Sequence, residues 1–364
     1  VTVVGTAGIP GDRDGTGDQT LLGEVTGVAA ISETGYAVSY VSSGGSKTTV
    51  KRIVGRTMST IADFQGTERR YITGDPARGS LIVGMINYPS VSSLRLSENG
   101  QVITSLPFVA YCAISGDSVG IPDDQKRSLS VLDLRTGNYT YLAGGLATTV
   151  RDGIGEMAGF NRIDSAAMAD GLIYVNDYPN IRTVTLAGEV KTLVGGGGAY
   201  VDGDLASAKA FPTLPMVADN DNNLIFVQNN SIRRLAKNTV KTLAGNPSGS
   251  GNFDGNGFNA RFSSIQGIAI DSANRLWVAD QNCVRLVTFQ ESRKDTAPQM
   301  GIRVVPGITV TGEVGGVYRI EYKDSLPGAG WQLLRVIVLA QPVEEFFDYE
   351  ARGQERFYRV VVPQ

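Results

Sequence analysis

Short apolar strands alternate with glycine-rich polar turns along most of the chain, and one kind of strand recurs. In five places an apolar pair is followed directly by glycine: Val3-Val4-Gly5, Ile53-Val54-Gly55, Leu142-Ala143-Gly144, Leu193-Val194-Gly195 and Leu243-Ala244-Gly245. These marker strands lie about 50 residues apart, except for one interval of nearly twice that length. Recurrence at such a period indicates a series of similar structural units. The long interval holds a divergent unit in which residues 102–106 replace the marker strand, so the pattern predicts six units.

The best-formed unit follows Gly245 and contains three more strands, at residues 267–271, 276–280 and 284–287. Each is bounded by Asp, Asn, Gly or Ser, residues that favour turns. Four strands in each of six units predict an all-β protein whose residues 1–290 form a six-bladed β-propeller. The last unit has three strands of its own. We therefore expect residues 1–4 to pair with the strand that holds Leu286, which removes two open sheet edges; pairing of this strand with a neighbouring molecule is the alternative.

The pattern changes after a polar segment, residues 291–298, which we interpret as a linker. Residues 299–364 contain alternating apolar and polar runs at 308–310, 317–322, 331–339 and 356–362. This alternation predicts a second, small β-sandwich domain. A module of about 60 residues is only marginally stable alone, so contact with another surface would help it.

Two resemblances to known families follow from these residues. The strings Asp254-Gly255-Asn256-Gly257, Ala260-Arg261-Phe262 and Leu276-Trp277-Val278-Ala279-Asp280, with a later arginine at 285, resemble the NHL repeat, a propeller blade of extracellular and regulatory proteins. The match is good over residues 145–290, fair over 1–55 and poor over 56–144, where residues 115–130 look like an insertion. The last strands are similar to small β-sandwich modules at the C-termini of exported bacterial proteins.

Composition narrows the classes of function. Hydrophobic residues make up 42% of the chain, which argues against disorder. The net charge of -3 provides no basic surface, so we expect no nucleic-acid partner. No apolar run approaches the roughly 18 residues of a membrane-spanning helix. Residue 1 is Val rather than Met, which fits a mature secreted chain whose leader has been removed, although a sequence shortened at its start would look the same; of the two we prefer export, and expect an extracellular or cell-surface location.

The chain contains no histidine, and this restricts its chemistry. Histidine supplies the usual general base near neutral pH and the commonest metal ligand, so His-based triads and His-bound metals are excluded. We predict a protein that is not an enzyme. The two cysteines, Cys112 and Cys283, fall in units on opposite sides of the predicted ring, too far apart for a disulfide. We expect Cys112 to be buried filler and Cys283 to lie in a turn, where exposure would allow pairing between molecules.

Acidic, glycine-rich loops suggest one possible cofactor, calcium. The best candidate contains Asp12, Asp14 and Asp18, whose oxygens could bind this ion. Calcium needs six to eight oxygen ligands, however, and the spacing of an EF-hand is absent. Aspartates that cap turns explain the same loops. We predict no other cofactor.

The ends of the second strands and the turns after them should gather on one face of the propeller. The candidate ligand-binding residues of that face are Asp177, Asn180, Gln228, Asn229, Asp280 and Asn282. The alternative is structural: Asp177 and Asp280, with the repeated Arg182, Arg233 and Arg285, would hydrogen-bond the units together. Their recurrence favours this alternative.

Three hypotheses for function remain, in order of preference. Arginine outnumbers lysine, with 9 Lys among 33 basic residues, and protein interfaces are enriched in Arg and depleted in Lys. The chain also ends on an uncharged strand, Val360-Val361-Val362. We therefore predict a non-catalytic extracellular scaffold that self-associates into a homo-oligomer or polymer, such as a filament or surface assembly. The second hypothesis is a propeller that binds a glycan or peptide, and the third is a carboxylate-based lyase or hydrolase.

Overall fold

The computed structural model describes residues 1–41, 47–65, 70–87, 90–106, 113–145, 149–195, 199–213, 216–289, 307–325, 330–348, 351 and 356–362. The chain divides into two compact units, Val1–Gln290 and Glu291–Gln364. Each unit is built from antiparallel strands. Among the residues described, helical structure is confined to short 3-10 turns at Gly17–Gln19, Pro76–Arg78, Gly155–Met157 and Gly257–Asn259.

The first unit consists of β1 (Thr2–Gly5) and six sheets that follow one another along the chain. Sheet 1 contains β2 (Gly15–Thr16), β3 (Glu24–Ile31), β4 (Thr34–Val41), β5 (Lys47–Val54) and β6 (Thr57–Gln65). Sheet 2 contains β7 (Arg70–Asp75), β8 (Ser80–Asn87), β9 (Ser90–Ser97) and β10 (Val102–Leu106). Sheet 3 contains β11 (Ala113–Ser115), β12 (Ser118–Asp123), β13 (Ser128–Asp133) and β14 (Tyr139–Gly144).

The remaining three sheets follow the same plan. Sheet 4 contains β15 (Gly153–Ile154), β16 (Ile163–Ala169), β17 (Leu172–Asp177), β18 (Asn180–Val184) and β19 (Glu189–Gly195). Sheet 5 contains β20 (Gly203–Asp204), β21 (Met216–Ala218), β22 (Leu224–Gln228), β23 (Ser231–Ala236) and β24 (Thr239–Gly245). Sheet 6 contains β25 (Ile265–Ile270), β26 (Arg275–Asp280) and β27 (Cys283–Thr288), together with β1.

The sheets form a closed ring. One strand of each sheet is innermost, namely β3, β7, β11, β16, β21 and β25, and each contacts the next in this order until β25 returns to β3. From each innermost strand the sheet runs outward as an antiparallel meander. Radial sheets around a common centre define the β-propeller architecture. The prediction of an all-β, propeller-type fold is therefore confirmed.

The first strand of the chain completes the last sheet. Strand β1 pairs antiparallel with β27, so that Thr2 lies opposite Arg285. The backbones of Val1 and Leu286 exchange two hydrogen bonds, of 2.8 and 2.7 Å. Val4 is fully buried in this position.

Apolar side chains fill the spaces between neighbouring sheets. Ile225 and Val227 of sheet 5, for example, share one core cluster with Ile268 and Val278 of sheet 6. Alternation along each strand produces this arrangement because successive side chains point to opposite faces of a sheet, and both faces are covered.

Two interpretations of the sequence are wrong in detail. Ile53 and Val54 do not form the fourth strand of their unit; they end β5, the third strand from the centre of the ring, and β6 and β2 lie outside it. Gly55 has φ +58° and turns the chain into a hairpin, a role that also requires glycine. Residues 115–130 are not an insertion, because they contain β12 and the start of β13, which are regular strands of sheet 3.

The second unit contains two small sheets. One pairs β28 (Gly307–Thr311) with β31 (Val343–Phe347), and the other has the order β30 (Gln332–Val338), β29 (Val317–Lys323), β32 (Phe357–Val361). Their core contains Val310, Ile320, Ile337 and Leu339. The predicted linker, residues 291–298, lies outside the described residues, as do residues 299–306. In the described part of the whole chain, no helix has the length and apolar character needed to cross a membrane.

Candidate functional site

A buried arginine in the third strand ties sheet 4 together. The Nη1 of Arg182 donates to Asp177 Oδ2 at 2.9 Å and also to the backbone oxygen of Gly159. Its Nη2 donates to Asp152 Oδ1 at 2.9 Å and to the backbone oxygen of Arg151 at 2.7 Å. Arg182 and Asp177 are both fully buried. We call this group an arginine clamp: the arginine joins the end of the second strand to the loop that precedes the sheet.

Sheets 5 and 6 contain the same clamp. The second-strand and loop side chains that accept from the arginine are Gln228 and Asp202 for Arg233, and Asp280 and Asp254 for Arg285. The guanidinium carbon, Cζ, of each arginine also lies over an aromatic ring. Its distance to the ring centroid is 4.9 Å for Arg182 and Phe160, 4.2 Å for Arg233 and Tyr200, and 4.5 Å for Arg285 and Phe262. Both Nη atoms of each guanidinium thus have acceptors and a ring lies against its face, an arrangement that ties the sheet to the loop before it.

A threonine of the strand next to the arginine's strand, in β19, β24 or β1, completes each clamp. Both its backbone N–H and its hydroxyl donate to the loop aspartate. The pairs are Thr192 with Asp152, Thr242 with Asp202 and, across the ring closure, Thr2 with Asp254. Partial burial opposes ionisation of Asp152 and Asp254, but these hydrogen bonds and the arginines outweigh it and lower the pKa of both carboxyl groups.

In sheet 1 a lysine takes the place of the arginine. The buried Lys51 Nζ donates to Asp12, to Asp14 at 2.9 Å and to the Thr60 hydroxyl at 2.6 Å. Lys47 Nζ also reaches Asp12, at 3.0 Å. Partial burial is the largest single influence on Asp12 and Asp14 and raises their pKa values, but the hydrogen bonds and charges of Lys51, together with Lys47 at Asp12 and Thr60 at Asp14, outweigh it, so the pKa of both carboxyl groups is lowered.

This arrangement bears on the calcium prediction for Asp12, Asp14 and Asp18. The structure brings the first two carboxylates together around the ammonium of Lys51. Asp18 lies in the exposed 3-10 turn, where its backbone oxygen accepts from the Thr6 hydroxyl at 3.2 Å. Within the described ranges, no three acidic or cysteine side chains cluster as metal ligands would. A bound calcium ion stays a prediction.

The predicted ligand-face residues fall into two groups. Asp177, Gln228 and Asp280 are fully buried members of the clamps, and Asn282 is buried with its amide donating to the Gly23 backbone oxygen at 2.9 Å. Asn180 is half-buried at the start of β18, and Asn229 is exposed in the turn before β23. Four of the six residues therefore lie inside the protein, and two lie at the turns.

The innermost strands surround a central cavity of about 320 Å³. Its wall consists mainly of small or apolar residues, at positions 27–30, 72–74, 166–168, 216–218 and 267–270. Among the described residues that line it, Thr73 and Asn220 have polar side chains and none is charged. At Gly74 a Cβ atom would collide with the backbone oxygen of Ala30, so glycine permits the close approach of sheets 1 and 2. The cavity volume is at the lower end of the range for small-molecule sites, about 300–1,000 Å³.

Sequence reasoning did not find this cavity. Its signal was the run of small residues at 27–30 and 166–168, which looks like an ordinary strand until the ring places six such strands side by side.

The two cysteines have different outcomes. Cys283 is the first residue of β27 rather than a turn residue, and it is fully buried. Its thiol lies 3.2 Å from the Asp280 backbone oxygen, and burial, with the nearby Asp280 carboxylate, raises its pKa to about 12. Burial leaves no exposed thiol there for pairing between molecules. Cys112 lies outside the described residues.

Comparisons with known proteins identify the fold alone. No family model matches the sequence, and no curated protein is similar to it. A protein of unknown function from Bacteroides thetaiotaomicron has a similar structure, with a TM-score of 0.60, 18% identity and coverage of 79% of this chain and 74% of that one. Auxiliary nutrient binding proteins from Bacteroides ovatus and B. thetaiotaomicron are also similar, with TM-scores of 0.57 and 0.56 and identities of 14% and 17%. Each of these alignments covers 79% of this chain and 76% of the other.

Proposed function

We propose that this protein is a non-catalytic extracellular or cell-surface binding protein, a six-bladed β-propeller followed by a small β-sandwich, that holds a small neutral ligand in its central cavity. The observation that carries the proposal is the lining of that cavity, which is apolar apart from Thr73, Asn220 and backbone groups. Such a surface can bury an uncharged group and orient it with few hydrogen bonds. An uncharged part of a glycan or peptide fits this chemistry.

The clamps support a role without catalysis. A carboxylate-based lyase or hydrolase needs acidic groups that face its substrate. Asp177, Asp280 and the loop aspartates instead accept hydrogen bonds from arginine, threonine and backbone groups. Their charges therefore stabilise the propeller through these hydrogen bonds and do not face a substrate.

The similar structures support a binding role by analogy. Two of them are auxiliary nutrient binding proteins from Bacteroides. At 14% and 17% identity the likeness extends to fold and not to ligand, so the nutrient of those proteins does not define the ligand of this one.

Ligand-observed NMR tests this function. The 364-residue chain is mixed with neutral mono- and disaccharides and with short capped peptides, and saturation transfer reports binding. We expect at least one of these classes of probe to bind without being converted to a product. The variant Ala218→Phe fills the cavity and should abolish the saturation-transfer signal. Leu186→Phe, at a 58% exposed position in a turn of sheet 4, is the matched control and should bind normally. Absence of binding to every probe, equal binding by Ala218→Phe, or conversion of a bound probe contradicts the proposal.

Self-association is the second candidate function, and exposed apolar side chains of the three-stranded sheet favour it. Val317, Leu333, Val336 and Val338 lie on one face of this sheet, and each is exposed. Clusters of exposed apolar residues commonly mark interaction surfaces. On this proposal the second unit joins copies of the chain into an oligomer, filament or surface assembly.

Sedimentation velocity over a range of concentrations tests self-association. We expect the wild-type chain to form larger species and Val336→Asp to shift the distribution toward monomer. Val102→Asp, at a 59% exposed position of β10 in the first unit, provides the control. A wild-type chain that stays monomeric at the highest concentration contradicts this candidate.

A further inference from the structure

The innermost strands of the propeller are edge strands. In the part of the chain that the structure describes, β16 and β21 each pair with one neighbour, β17 and β22, and their other edges border the central cavity. A strand edge carries a row of backbone N–H and C=O groups that lie outside the ladder of its sheet. The cavity wall is therefore largely apolar in its side chains but polar in its backbone.

The turn after β21 shows which of its residues direct these groups to the cavity. The N–H of Asp219 donates to the backbone oxygen of Asn223 at 2.9 Å, so this pair is a hydrogen-bonded one. Hydrogen-bonded and non-hydrogen-bonded pairs alternate along an antiparallel ladder, which makes Ala218 and Met216 members of the second kind. Their N–H and C=O groups point away from β22, toward the cavity that both residues line.

Strand β16 of sheet 4 has the same arrangement. Asp170 and Gly171 have φ values of +52° and +72°, the two positive values of a type I′ turn, so the residues that flank the turn form a hydrogen-bonded pair. By the same alternation, Ala166 and Met168 direct their backbone groups to the cavity.

Of these two edges, that of β21 is the more accessible. Val217 and Ala218 are partly buried, whereas Ala166 and Ala167 of β16 are each only 3% exposed. A ligand that enters the cavity therefore reaches the backbone of β21 more readily than that of β16.

Asn220 continues the edge of β21 by one more alternation. Its Nδ2 donates to the backbone oxygens of Asp271 and Ser272, at 3.4 and 3.1 Å. Both donors of the amide are thus in use, and the group that Asn220 can offer to a ligand is the acceptor Oδ1. A ligand that bonds there has to supply a donor, as a peptide N–H does.

An extended peptide matches this edge. Met216 and Ala218 lie two residues apart, about 7 Å along the strand, and each presents one donor and one acceptor. Alternate residues of an extended peptide present the same groups at the same repeat. Sugar hydroxyl groups lie on adjacent carbons, at a much shorter spacing. None of the described lining residues is aromatic, so a sugar has no ring there to stack on.

We propose that the ligand of the central cavity is a short extended peptide with small side chains, which pairs antiparallel with the edge of β21 through two alternate residues. This inference rests on the function proposed above and narrows its ligand from glycan or peptide to peptide. Strand addition obtains affinity from backbone hydrogen bonds. The side chains have to be small because the cavity holds only about 320 Å³.

Three capped tripeptides test the pairing. The probe is acetyl-Ala-Ala-Ala-methylamide, and its two controls each carry one backbone N-methyl group, on the second or on the third alanine. With two pairs along β21, the N–H groups of the first and third alanines face the strand and that of the second faces away.

Isothermal titration calorimetry measures the three affinities. We expect saturable binding of the probe, a Kd roughly tenfold or more higher when the third alanine is methylated, and a change of less than about threefold when the second is methylated. Equal weakening by the two methyl groups overturns the proposal.

Two variants of the protein locate the site. Ala218→Pro removes the cavity-facing N–H of Ala218 without breaking a bond of the ladder with β22, and should raise the Kd of the probe roughly tenfold. Ala218→Val keeps that N–H, has a side chain of similar size and should bind the probe within about threefold of the wild-type affinity. Equal affinities of the two variants contradict pairing at β21. If Ala218→Pro does not fold, the two methylated peptides still decide.

Neutral disaccharides separate this inference from the function on which it rests. Binding of the tripeptide without binding of maltose or sucrose supports both. Binding of a disaccharide without binding of the tripeptide overturns the peptide inference and leaves the binding function in place. If neither class binds, the proposed function fails, and the inference fails with it.

Discussion

Replacing Arg182 by methionine removes the guanidinium of one clamp and leaves all of its acceptors in place. Asp177 then stays fully buried with hydrogen bonds from the Asn161 and Arg162 backbone amides but without its ionic partner. The backbone oxygen of Gly159 loses a donor as well. The methionine side chain still fills most of the apolar volume, so the main loss is electrostatic.

The size of the effect follows from the burial of both partners. Removing one member of a buried ion pair typically costs about 3–5 kcal/mol, because the other charge is left without compensation. For a domain of this size, such a loss lowers the midpoint of thermal unfolding by roughly 6–20 °C. Asp152 also loses its ion pair with Arg182, but this changes the free energy of unfolding only slightly, because Asp152 is half exposed and keeps its hydrogen bonds to Thr192.

Urea titration followed by circular dichroism measures the change in free energy of unfolding. The matched control is Arg135→Met, which removes a 70% exposed arginine from a 3.8 Å pair with Asp133 and should cost less than about 1 kcal/mol. The double variant Arg182→Met/Asp177→Asn removes both charges, keeps an amide oxygen for the Asn161 and Arg162 backbone amides, and should recover much of the loss. A cost below about 1 kcal/mol for Arg182→Met, or a double variant no more stable than the single one, would refute the idea that the clamp holds the sheet.

Three other perturbations have defined outcomes. The folded-state pKa values of Asp12 and Asp14 lie below the unfolded value near 3.9, so the stabilisation from these carboxylates is present above that pH and disappears as the pH falls through the folded values. When the free energy of unfolding is measured against pH, it should therefore fall less steeply between about pH 5 and 3 for Lys51→Met than for the wild-type chain. Cys283 should react with iodoacetamide at about pH 8 far more slowly in the native protein than in urea, because burial raises its pKa to about 12, and equal rates would contradict its placement. Val4→Ala should lower stability by about 2 kcal/mol in the same urea assay, since the fully buried side chain loses two methyl groups, and an unchanged midpoint would contradict the docking of β1.

Local pattern predicted the fold where each unit repeats its turns faithfully. The marker strands at Leu193 and Leu243 do form the fourth strands of the meanders of sheets 4 and 5, because a glycine with an apolar neighbour stands at the same place in each meander. At Ile53 the same three-residue pattern ends a third strand instead. Strand pairing depends on residues that are distant in sequence, so the same three-residue pattern can end an inner strand at a hairpin turn or form the fourth strand of a blade.

The candidate site was harder to predict for the same reason. Asp12 and Asp14 have the oxygen-rich spacing of a cation site, but the partner that they meet is Lys51, which comes from a distant strand. The recurrence of Arg182, Arg233 and Arg285 favours a structural role, since a group that recurs from unit to unit is more economically explained by the fold; the sequence predicts bonds between units, whereas the bonds found join each arginine to its own sheet and the loop before it. The central cavity has no local signal, because six separate strands supply its wall.

Ring closure through β1 differs physically from the other outer strands. Thr183 and Lys191 of sheet 4 are 8 residues apart in sequence, whereas Val1 and Leu286 are 285 apart. That is roughly five doublings of loop length, which adds about 3 kcal/mol to the entropy cost of bringing the two strands together. Burial of Val3 and Val4 contributes roughly 1.5–3 kcal/mol each, enough to offset this cost before the hydrogen bonds of Thr2 are considered. The apolar pair in β1 is therefore what makes a strand so distant in sequence a stable part of sheet 6.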